Sequence, residues 1–345
     1  MSGTSLDGID VAAIETDGRD YVTPGPSLTI SYPDNFRERL RGVLGGAGPV
    51  PEVEAELTRH HAAAIAEYRR RFPDIHAGLI GFHGHTILHE PHNRRTWQIG
   101  DGALLARLTG TDVVADLRSA DVAAGGEGAP LAPLYHAALA ATLPKPLAVL
   151  NLGGVGNVTW IGAEAEDILA FDTGPGNALL DDWARHHTGA VCDWDGRFAL
   201  IGAAAADHVA RFLAAPYLAR RPPKSLDRDE FQVFVPTGLG LEDGAATLTE
   251  MTAAAVAAAR RHFPAPVREW LVCGGGRHNP VLMAALARLL AAPVRPVEAV
   301  GWDGDALEAQ AFGYLAARSV LGLPLSLPST TGAPRPILGG RLFHA

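Results

Sequence analysis

Short apolar runs and amphipathic stretches follow one another along the chain. Runs rich in β-branched and other apolar residues predict strands at residues 9–15, 79–82, 112–115, 147–152, 158–161 and 270–273. Apolar positions three and four apart predict helices at residues 52–72, 131–143, 245–263, 280–292 and 306–321, and one more that begins near residue 177. Prolines interrupt the pattern at residues 24–26, and residues 324–336 have the composition of a loop. Strands that alternate with helices predict an α/β protein with two sheets.

Length and proline punctuation predict two domains. A chain of 345 residues fits two domains of ordinary size. The glycine-rich loop at residues 125–130 and the Pro-Lys-Pro sequence at residues 144–146 mark the region of the joint. We therefore expect an N-terminal domain over residues 1–131 and a C-terminal domain over residues 132–345.

Charge and cysteine content narrow the classes of function. The formal net charge of −9 argues against binding to nucleic acid or to an anionic membrane, because both need clustered basic charge. Two cysteines, Cys192 and Cys273, are too few for a disulfide framework or a four-cysteine zinc site. The first residues lack the pattern of a signal peptide, and no apolar stretch approaches the roughly 20 residues of a membrane span. We expect a cytoplasmic protein.

Four loops of small residues flank the predicted strands, at residues 3–7, 153–157, 173–177 and 274–276. Glycine has no Cβ, so backbone N–H groups can approach an anion, and Ser and Thr hydroxyls can donate further hydrogen bonds to phosphate oxygens. Each loop alone is also typical of an ordinary turn, but four in one chain favour a phosphate ligand. Neither a Walker A sequence nor a complete dinucleotide-binding fingerprint is present.

Two acids lie in or beside these loops, Asp7 and Asp172. A carboxylate near a phosphate loop can hold Mg²⁺, usually through water, or act as a general base. The alternative for each is a solvated turn residue or a helix N-cap.

Other polar residues are candidates for a substrate site. Asp116, Arg118 and Asp121 follow a predicted strand, where they would form either a structural ion pair or hydrogen bonds to a sugar. Glu308 lies on the last predicted helix, where the simplest interpretation is a solvated carboxylate. A histidine cluster over residues 83–92 has the spacing of metal ligands on a strand but little carboxylate support, so a place in the substrate site or on the surface is favoured.

Eight blocks of the chain resemble, in the same order, the motifs of the anhydro-N-acetylmuramic acid kinases. They are MSGTSLDGID at 1–10, HG at 83–84, WQIG at 97–100, VVADLRSADVAA at 113–124, GAPL at 128–131, NLGGVGNV at 151–158, FDTGPGN at 171–177 and VCGGGRHNP at 272–280. The late segment LEAQAFGYLA at 307–316 is also similar. Matches in this order make the resemblance highly specific.

The resemblance implies a fold and a nucleotide site. The family has the actin/hexokinase/Hsp70 type of fold, in which two ribonuclease-H-like domains flank an ATP cleft. The positions that match its ATP-binding loops are Gly3, Thr4, Ser5, Leu6, Asp7, Gly8, Ile9 and Asp10 in the first phosphate hairpin, Gly153, Gly154 and Asn157 in the second, and Gly274, Gly275 and Gly276 on the adenosine side.

The resemblance also implies a reaction in cell-wall recycling. Water attacks C1 of 1,6-anhydro-N-acetylmuramic acid, the 1,6 bridge opens, and O6 takes the γ-phosphoryl group of ATP. We expect Asp172 to activate the water, Asp7 to hold Mg²⁺ through water, and the side chains of Asp116, Arg118 and Glu308 to bind the sugar. Arg118 would then pair with the lactyl carboxylate. ATP and the sugar are the expected partners, and a homodimer is a further expectation.

The sequence departs from the family pattern in three places. The family has a short strand before the first phosphate loop, whereas this sequence starts at Met1 within that block, so we expect an upstream extension of about five apolar residues to tighten ATP binding. The usual His-Gly-Gln-Thr is here HGHT at residues 83–86, and the usual Gly-Gly-Gln-Gly is GGEG at residues 125–128. These two changes concern the polar detail of the sugar site.

The residues alone are also compatible with other classes of protein. Another sugar kinase or a phosphohydrolase of the same fold would also need the phosphate loops. An ATP-regulated, chaperone-like binding protein would need the loops but no base, and a sugar-binding module would need no nucleotide loop.

Overall fold

Short strands and helices alternate through the protein, whose computed structural model describes residues 1–3, 6–164, 167–226 and 230–345. The strands are β1 (Gly8–Thr16), β2 (Val22–Ser31), β3 (Leu79–Gly81), β4 (His85–Glu90), β5 (Arg95–Ile99), β6 (Asp112–Ala115), β7 (Leu147–Leu152), β8 (Val155–Ile161), β9 (Ile168–Pro175), β10 (Trp270–Cys273), β11 (Val294–Pro296) and β12 (Arg341–Phe343). The α-helices are α1 (Asp34–Arg41), α2 (Val50–Arg71), α3 (Gly102–Thr109), α4 (Ser119–Ala124), α5 (Pro133–Leu139), α6 (Ala178–Thr188), α7 (Arg197–Ile201), α8 (Ala206–Leu213), α9 (Pro216–Ala219), α10 (Leu241–Ala259), α11 (Pro280–Leu289), α12 (Leu307–Val320) and α13 (Pro328–Thr331). The predicted α/β class is confirmed.

The chain divides into two compact units. Unit 1 consists of Met1–Thr142 and Ala306–Ala345, and unit 2 consists of Leu143–Asp305. These limits differ from the predicted boundary at residue 131 and from the predicted placement of the last 40 or so residues in the second domain. The physical reason is that α12 packs on β1 and β3, and β12 pairs antiparallel with β6, so both late elements complete unit 1.

Unit 1 contains three small sheets. The hairpins β1-β2 and β4-β5 are antiparallel, and a three-stranded sheet has the order β12-β6-β3, in which β3 and β6 are parallel. The sequence predicted a break at Pro24–Pro26, but β2 passes through it, with Pro24 paired to Ile14. A proline has no N–H to donate, and β2 has one strand partner, β1, in a two-stranded sheet. At Pro24 the sheet therefore loses at most one backbone hydrogen bond.

Unit 2 contains one five-stranded sheet in the order β11-β10-β7-β8-β9. The predicted hairpin at residues 147–161 is confirmed as β7 and β8, and β9 pairs antiparallel with β8. Strand β10 runs parallel to β7. The apolar core of unit 2 includes Trp270, Phe171 and Leu150, all fully buried. The described residues therefore form four sheets rather than the predicted two.

The predicted loop at residues 324–336 is mostly irregular but contains α13. Thr331 of α13 and Ser326 before it both donate side-chain hydrogen bonds to the buried carboxylate of Asp121. This segment is therefore anchored in unit 1. No helix among the described residues is long and apolar enough to cross a membrane.

Candidate active site

The turn between β7 and β8 is fixed to the start of α6 by backbone hydrogen bonds. The Gly153 carbonyl accepts from the Asn177 N–H at 2.7 Å, and the Gly154 carbonyl accepts from the N–H groups of Gly176 and Ala178, both at 3.1 Å. A Cβ on Gly176 would lie 2.2 Å from the Gly153 oxygen, so only glycine allows this approach. Two of the predicted phosphate loops are thus held against each other within unit 2.

The third glycine loop of unit 2 joins the same place. Strand β10 ends beside β7, with Cys273 paired to Asn151, and the chain then turns at Gly274. A Cβ on Gly276 would lie 2.6 Å from the Leu152 Cβ, and the Asn177 side-chain amide donates to the Leu152 carbonyl at 2.8 Å. Leu152 and Asn177 are therefore the residues around which the three loops of unit 2 meet.

The turns are shorter than the sequence predicted. Strand β8 begins at Val155, which leaves Gly153 and Gly154 as the turn and places Asn157 on the strand. Strand β9 continues to Pro175, so residues 173–175 are extended rather than part of a glycine turn.

Gly274 is the glycine of this cluster whose replacement should affect ATP binding most. Its φ is +74°, and a Cβ would lie 2.3 Å from Asn151 Oδ1 and 2.8 Å from the Leu152 carbonyl carbon. With its ψ of 173°, this backbone conformation is essentially restricted to glycine and costs other residues roughly 1–3 kcal/mol, and the clash adds to that cost. We expect Gly274→Ala to weaken ATP binding at least about tenfold, the equivalent of about 1.4 kcal/mol.

Gly189→Ala is the matched control for that variant. Gly189 ends α6 in the left-handed region, with a φ of +76° and a ψ of −5°, and no atom lies within 4 Å of its Cβ position, so this variant has the strain of a positive φ without the clash. Calorimetric titration with ATP and thermal unfolding should be measured on both. Equal ATP affinity in the two variants would show that the Gly274 approach is not needed.

Arg277, which sequence analysis did not single out, stabilises the Gly274–Gly276 loop by a hydrogen bond to its backbone. Its Nη1 donates to the Gly274 carbonyl at 3.0 Å. Its guanidinium, with 3% side-chain exposure, forms ion pairs with Glu298 and Asp305, both at 2.8 Å. The guanidinium also lowers the pKa of Asp305. The residue lies inside the VCGGGRHNP block, which was the available signal.

Asp172 lies on β9, neither in a turn nor at a helix N-cap. Its backbone N–H donates to the Lys224 carbonyl at 3.0 Å, and its backbone carbonyl accepts from the Tyr217 hydroxyl at 2.9 Å. Its Oδ2 accepts a hydrogen bond from the Leu226 N–H at 2.9 Å. The half-buried carboxylate is thus oriented by the segment that precedes residue 227. The turn and N-cap interpretations of this residue were wrong.

The first phosphate loop is described except for Thr4 and Ser5, which lie outside the described residues. The Gly3 carbonyl accepts from the Leu6 N–H at 3.2 Å, and the Asp7 carbonyl accepts from the Tyr32 N–H at 3.0 Å. Leu6 has a left-handed φ of 59°. The Asp7 side chain is exposed, as a carboxylate that binds a hydrated metal ion must be.

Three of the predicted phosphate-binding residues lie on β1 rather than in the loop. Gly8 begins the strand, and a Cβ there would lie 2.4 Å from the Ile30 oxygen. The Ile9 side chain is 2% exposed and belongs to the core. Asp10 Oδ1 accepts from the Thr29 hydroxyl at 2.7 Å. The Ile9 side chain is therefore not available to a ligand.

A hydrogen-bonded chain supports the first loop from inside unit 1. The Tyr32 hydroxyl donates to Ser2 Oγ at 2.8 Å, and Ser2 Oγ lies 3.0 Å from His85 Nδ1. His85 is fully buried, and this burial lowers its pKa to about 4. His85 is therefore neutral at pH 7.

Arg118 and His83 form the centre of a second cluster in unit 1. Arg118 donates from Nε to His83 Nε2 at 3.0 Å and from Nη1 to the Gly128 carbonyl at 2.7 Å. Both side chains lie against the ring of Phe312 on α12. Burial, and next the charge of Arg118, hold the pKa of His83 well below its usual value. His83 is thus a neutral acceptor, and Nη2 of Arg118 makes no hydrogen bond to the described residues.

Glu308 lies in the first turn of α12, one turn before Phe312. Solvent reaches its side chain, yet the surrounding protein atoms desolvate the carboxyl and raise its pKa, while Arg118 opposes that shift. The charges of Glu308 and Arg118 therefore interact within unit 1.

Asp116 and Asp121 have different surroundings. Asp116 follows β6 with a left-handed φ of 56° and lines a cavity of about 230 Å³ together with His83, Trp97 and Ser119. Asp121 is 2% exposed, and its carboxylate accepts from the Gly128 N–H at 2.7 Å and from the hydroxyls of two residues near α13. Asp121 is thus a structural anchor of the 125–130 loop, and of its two predicted roles the structural one is favoured.

The predicted histidine cluster does not form a strand face. His83 precedes β4, which begins at His85, and Gly84 between them has a φ of +70°. Among the described residues, no three His, Cys, Asp or Glu side chains are placed to hold a metal ion. The alternative of a metal site is therefore not supported in this part of the chain.

Comparison with known proteins identifies the family. The model of the anhydro-N-acetylmuramic acid kinase family matches residues 1–345. An anhydro-N-acetylmuramic acid kinase of Paramagnetospirillum magneticum is 60% identical, over 99% of this chain and 97% of that protein. One of Acidiphilium cryptum is 56% identical, over 100% of this chain and 97% of that protein. A solved ROK family glucokinase from Streptomyces griseus is 13% identical over 92% of this chain and 98% of that chain, with a TM-score of 0.41, too low to bear on function. The chain belongs to the anhydro-N-acetylmuramic acid kinase family, as its sequence blocks predicted.

Proposed function

We propose that the protein is an ATP-dependent kinase of peptidoglycan recycling. It converts 1,6-anhydro-N-acetylmuramic acid, ATP and water to N-acetylmuramic acid 6-phosphate and ADP. The observation that carries this proposal is the match to the family over residues 1–345. Mg²⁺ as the metal, a cytoplasmic location and a homodimer stay predictions.

The glycine loops are proposed to bind ATP. At Gly274 and Gly276 the backbone approaches its neighbours where no Cβ fits, and the Gly153–Gly154 turn has no Cβ to cover its backbone, so N–H groups of both loops can reach phosphate oxygens. The carbonyls of the turn are used by the start of α6, so they do not face the anion. Positioning and charge stabilisation then do most of the work of phosphoryl transfer.

The donor set around Asp7 fits a hydrated Mg²⁺. The ion usually takes one or two carboxylates, keeps several waters and completes its shell with substrate phosphates, so one exposed carboxylate in a phosphate loop is sufficient. When bound, Mg²⁺ neutralises charge on the phosphate oxygens.

Asp172 is proposed as the general base. The water oxygen forms a bond to C1 while its proton passes to the Asp172 carboxylate. The bond from C1 to the bridging oxygen breaks and leaves its electron pair on O6. O6 then bonds to the γ-phosphorus, and the bond to the β,γ-bridging oxygen breaks to release ADP. The Leu226 N–H fixes the carboxylate through Oδ2.

Arg118 and Glu308 are proposed to bind the sugar. A guanidinium pairs well with the lactyl carboxylate, and Nη2 of Arg118 is the atom we assign to this contact. Glu308 can accept hydrogen bonds from sugar hydroxyl or amide groups. Asp116 is assigned a weaker role, because its cavity of about 230 Å³ is below the ~300–1,000 Å³ of ordinary ligand pockets.

A coupled ADP-release assay, with and without the anhydro sugar, tests the function. We expect ADP to form only when the sugar is present, in a ratio of one to one with the phosphorylated product. In ¹⁸O-labelled water, one label should enter the product at the C1 hydroxyl and none should enter the phosphate. ADP release without sugar, with label in free phosphate, would instead make the protein a phosphohydrolase. Binding of either ligand without turnover would make it a binding protein.

A further inference from the structure

Lys224 is a buried lysine that the proposed mechanism does not use. It is 2% exposed and is one of two lysines in the chain, the other being Lys145. Its Nζ donates to the Tyr217 carbonyl at 3.0 Å and lies 4.4 Å from the centre of the Tyr217 ring. It also lies 5.6 Å from the centre of the Phe171 ring, next to Asp172 in sequence. A buried ammonium is costly, so its place beside the candidate base calls for an explanation.

Three hydrogen bonds close a ring through Lys224, Tyr217 and Asp172. The Asp172 N–H donates to the Lys224 carbonyl, the Lys224 ammonium donates to the Tyr217 carbonyl, and the Tyr217 hydroxyl donates to the Asp172 carbonyl, at 3.0, 3.0 and 2.9 Å. Asp172 lies on β9, the edge strand of its sheet. The ring therefore satisfies the outward backbone groups of an edge strand at the position of the candidate base.

The same segment also orients the Asp172 side chain. Leu226, two residues after Lys224, donates its N–H to Asp172 Oδ2. Lys224 anchors this segment to the end of α9, through the Tyr217 carbonyl and, at 3.5 Å, the Leu218 carbonyl. Loss of the ammonium would therefore remove the anchor on α9 of the segment that carries the Leu226 N–H, while the backbone bond from the Asp172 N–H to the Lys224 carbonyl would stay.

The charges around Lys224 make its ammonium sensitive to Asp172. Burial lowers the pKa of Lys224 to about 8, Arg261 and Arg220 lower it too, and Asp172 raises it. The Tyr217 ring lies against this ammonium, and the pKa of His262 is lowered chiefly through burial and also by the charge of Lys224. These are the titratable and charged groups next to Lys224 among the described residues.

We propose that Lys224 is a positioning residue for the general base: its ammonium anchors the 224–226 segment to the end of α9 and so keeps the Asp172 carboxylate, which accepts the Leu226 N–H, oriented toward the water. This inference rests on the proposed role of Asp172. The ammonium loses its proton as the pH rises through about 8, so the support for Asp172 is present below that pH and is lost above it. The kcat of the protein should therefore fall on the alkaline side.

Kinetics of Lys224→Met and Lys224→Arg test the proposal. Methionine keeps an unbranched apolar stem without charge, and we expect kcat to fall about tenfold or more while the KM for ATP and for the sugar stay within a few-fold. Arginine stays charged at all working pH values, so the alkaline fall of kcat near pH 8 should move to higher pH. Lys145→Met, at the other lysine, should leave kcat and its pH profile unchanged. A normal kcat in folded Lys224→Met, or an unmoved alkaline fall in Lys224→Arg, would overturn the proposal.

A titration that needs no turnover separates this inference from the proposed function. Protein with ¹³C at the lysine Cε positions should give two lysine signals, assigned with the Lys145→Met variant. We expect Lys224 to titrate near pH 8, and at a lower pH in Asp172→Asn, because an opposite charge is removed. The same midpoint in both proteins would overturn the coupling even if the kinase activity is established. A shifted midpoint in a protein that does not phosphorylate the sugar would keep the coupling and contradict the proposed function instead.

Discussion

Asp172→Asn is expected to lower kcat by at least about 100-fold while ATP and sugar binding stay within a few-fold. Asparagine has nearly the same size as aspartate, and its side-chain oxygen can still accept the Leu226 N–H. The bonds to the Lys224 carbonyl and the Tyr217 hydroxyl use Asp172 backbone atoms and survive the change. What is lost is the ability to take a proton from water, so the effect should appear in kcat and not in binding.

The control for this variant is Asp182→Asn on α6. Asp182 lies in unit 2 and is paired at the surface with Arg185 at 3.0 Å, so its change should leave kcat as it is. Turnover, calorimetric titration of both ligands and thermal unfolding should be measured on both variants. A stably folded Asp172→Asn protein with near-normal kcat would remove this residue from the mechanism and make Asp7 the next candidate. Lost thermal stability with activity kept in the folded fraction would make Asp172 a structural residue.

Elements with a strong local signal could be predicted from the sequence. The continuous apolar run at residues 147–152 and the run that follows it form β7 and β8. The helix predicted at residues 245–263 corresponds to α10 and the short 3₁₀ helix Arg260–His262 that follows it. β2 was not predicted, because its prolines disfavour a strand locally. The strand is stabilised instead by its pairing with β1, which the local sequence does not reveal. The return of α12 to unit 1 could not be predicted either, since its packing on β1 depends on contacts about 300 residues apart.

In the candidate site too, features with a local sequence signal could be predicted and features that depend on distant contacts could not. Glycine spacing located the loops around Leu152 and Asn177, because glycine is required wherever backbone approaches within about 3 Å of its neighbours. The ring of Lys224, Tyr217 and Asp172 gave no such signal. Two of its three bonds are made to or from the backbone of residues 45 and 52 positions away, and backbone acceptors have no sequence signature. The only hint was a lysine in a chain whose other positive side chains, apart from Lys145, are arginines.

Arg118→Met is expected to raise the KM for the anhydro sugar roughly 10–100-fold, because a hydrogen bond to a charged group contributes about 1.5–3 kcal/mol. ATP binding should not change. Methionine retains an apolar side chain against Phe312 but loses the donors to His83 Nε2 and to the Gly128 carbonyl. Arg107→Met is the control, since Arg107 is exposed on α3 of the same unit.

The lost contacts to His83 and Gly128 make it necessary to separate recognition of the carboxylate from support of the loop. The substrate allows this separation: 1,6-anhydro-N-acetylglucosamine has the same bridged ring but no lactyl carboxylate. If Nη2 of Arg118 pairs with that carboxylate, the native protein should prefer the muramic substrate strongly, and Arg118→Met should use the two sugars with nearly equal kcat/KM. The interaction energy from this cycle measures the pair itself, because the damage to the His83 and Gly128 contacts is common to both substrates. If Arg118→Met lowers kcat/KM for both sugars by the same factor, Arg118 only supports the 125–130 loop, and the partner of the carboxylate is a different residue.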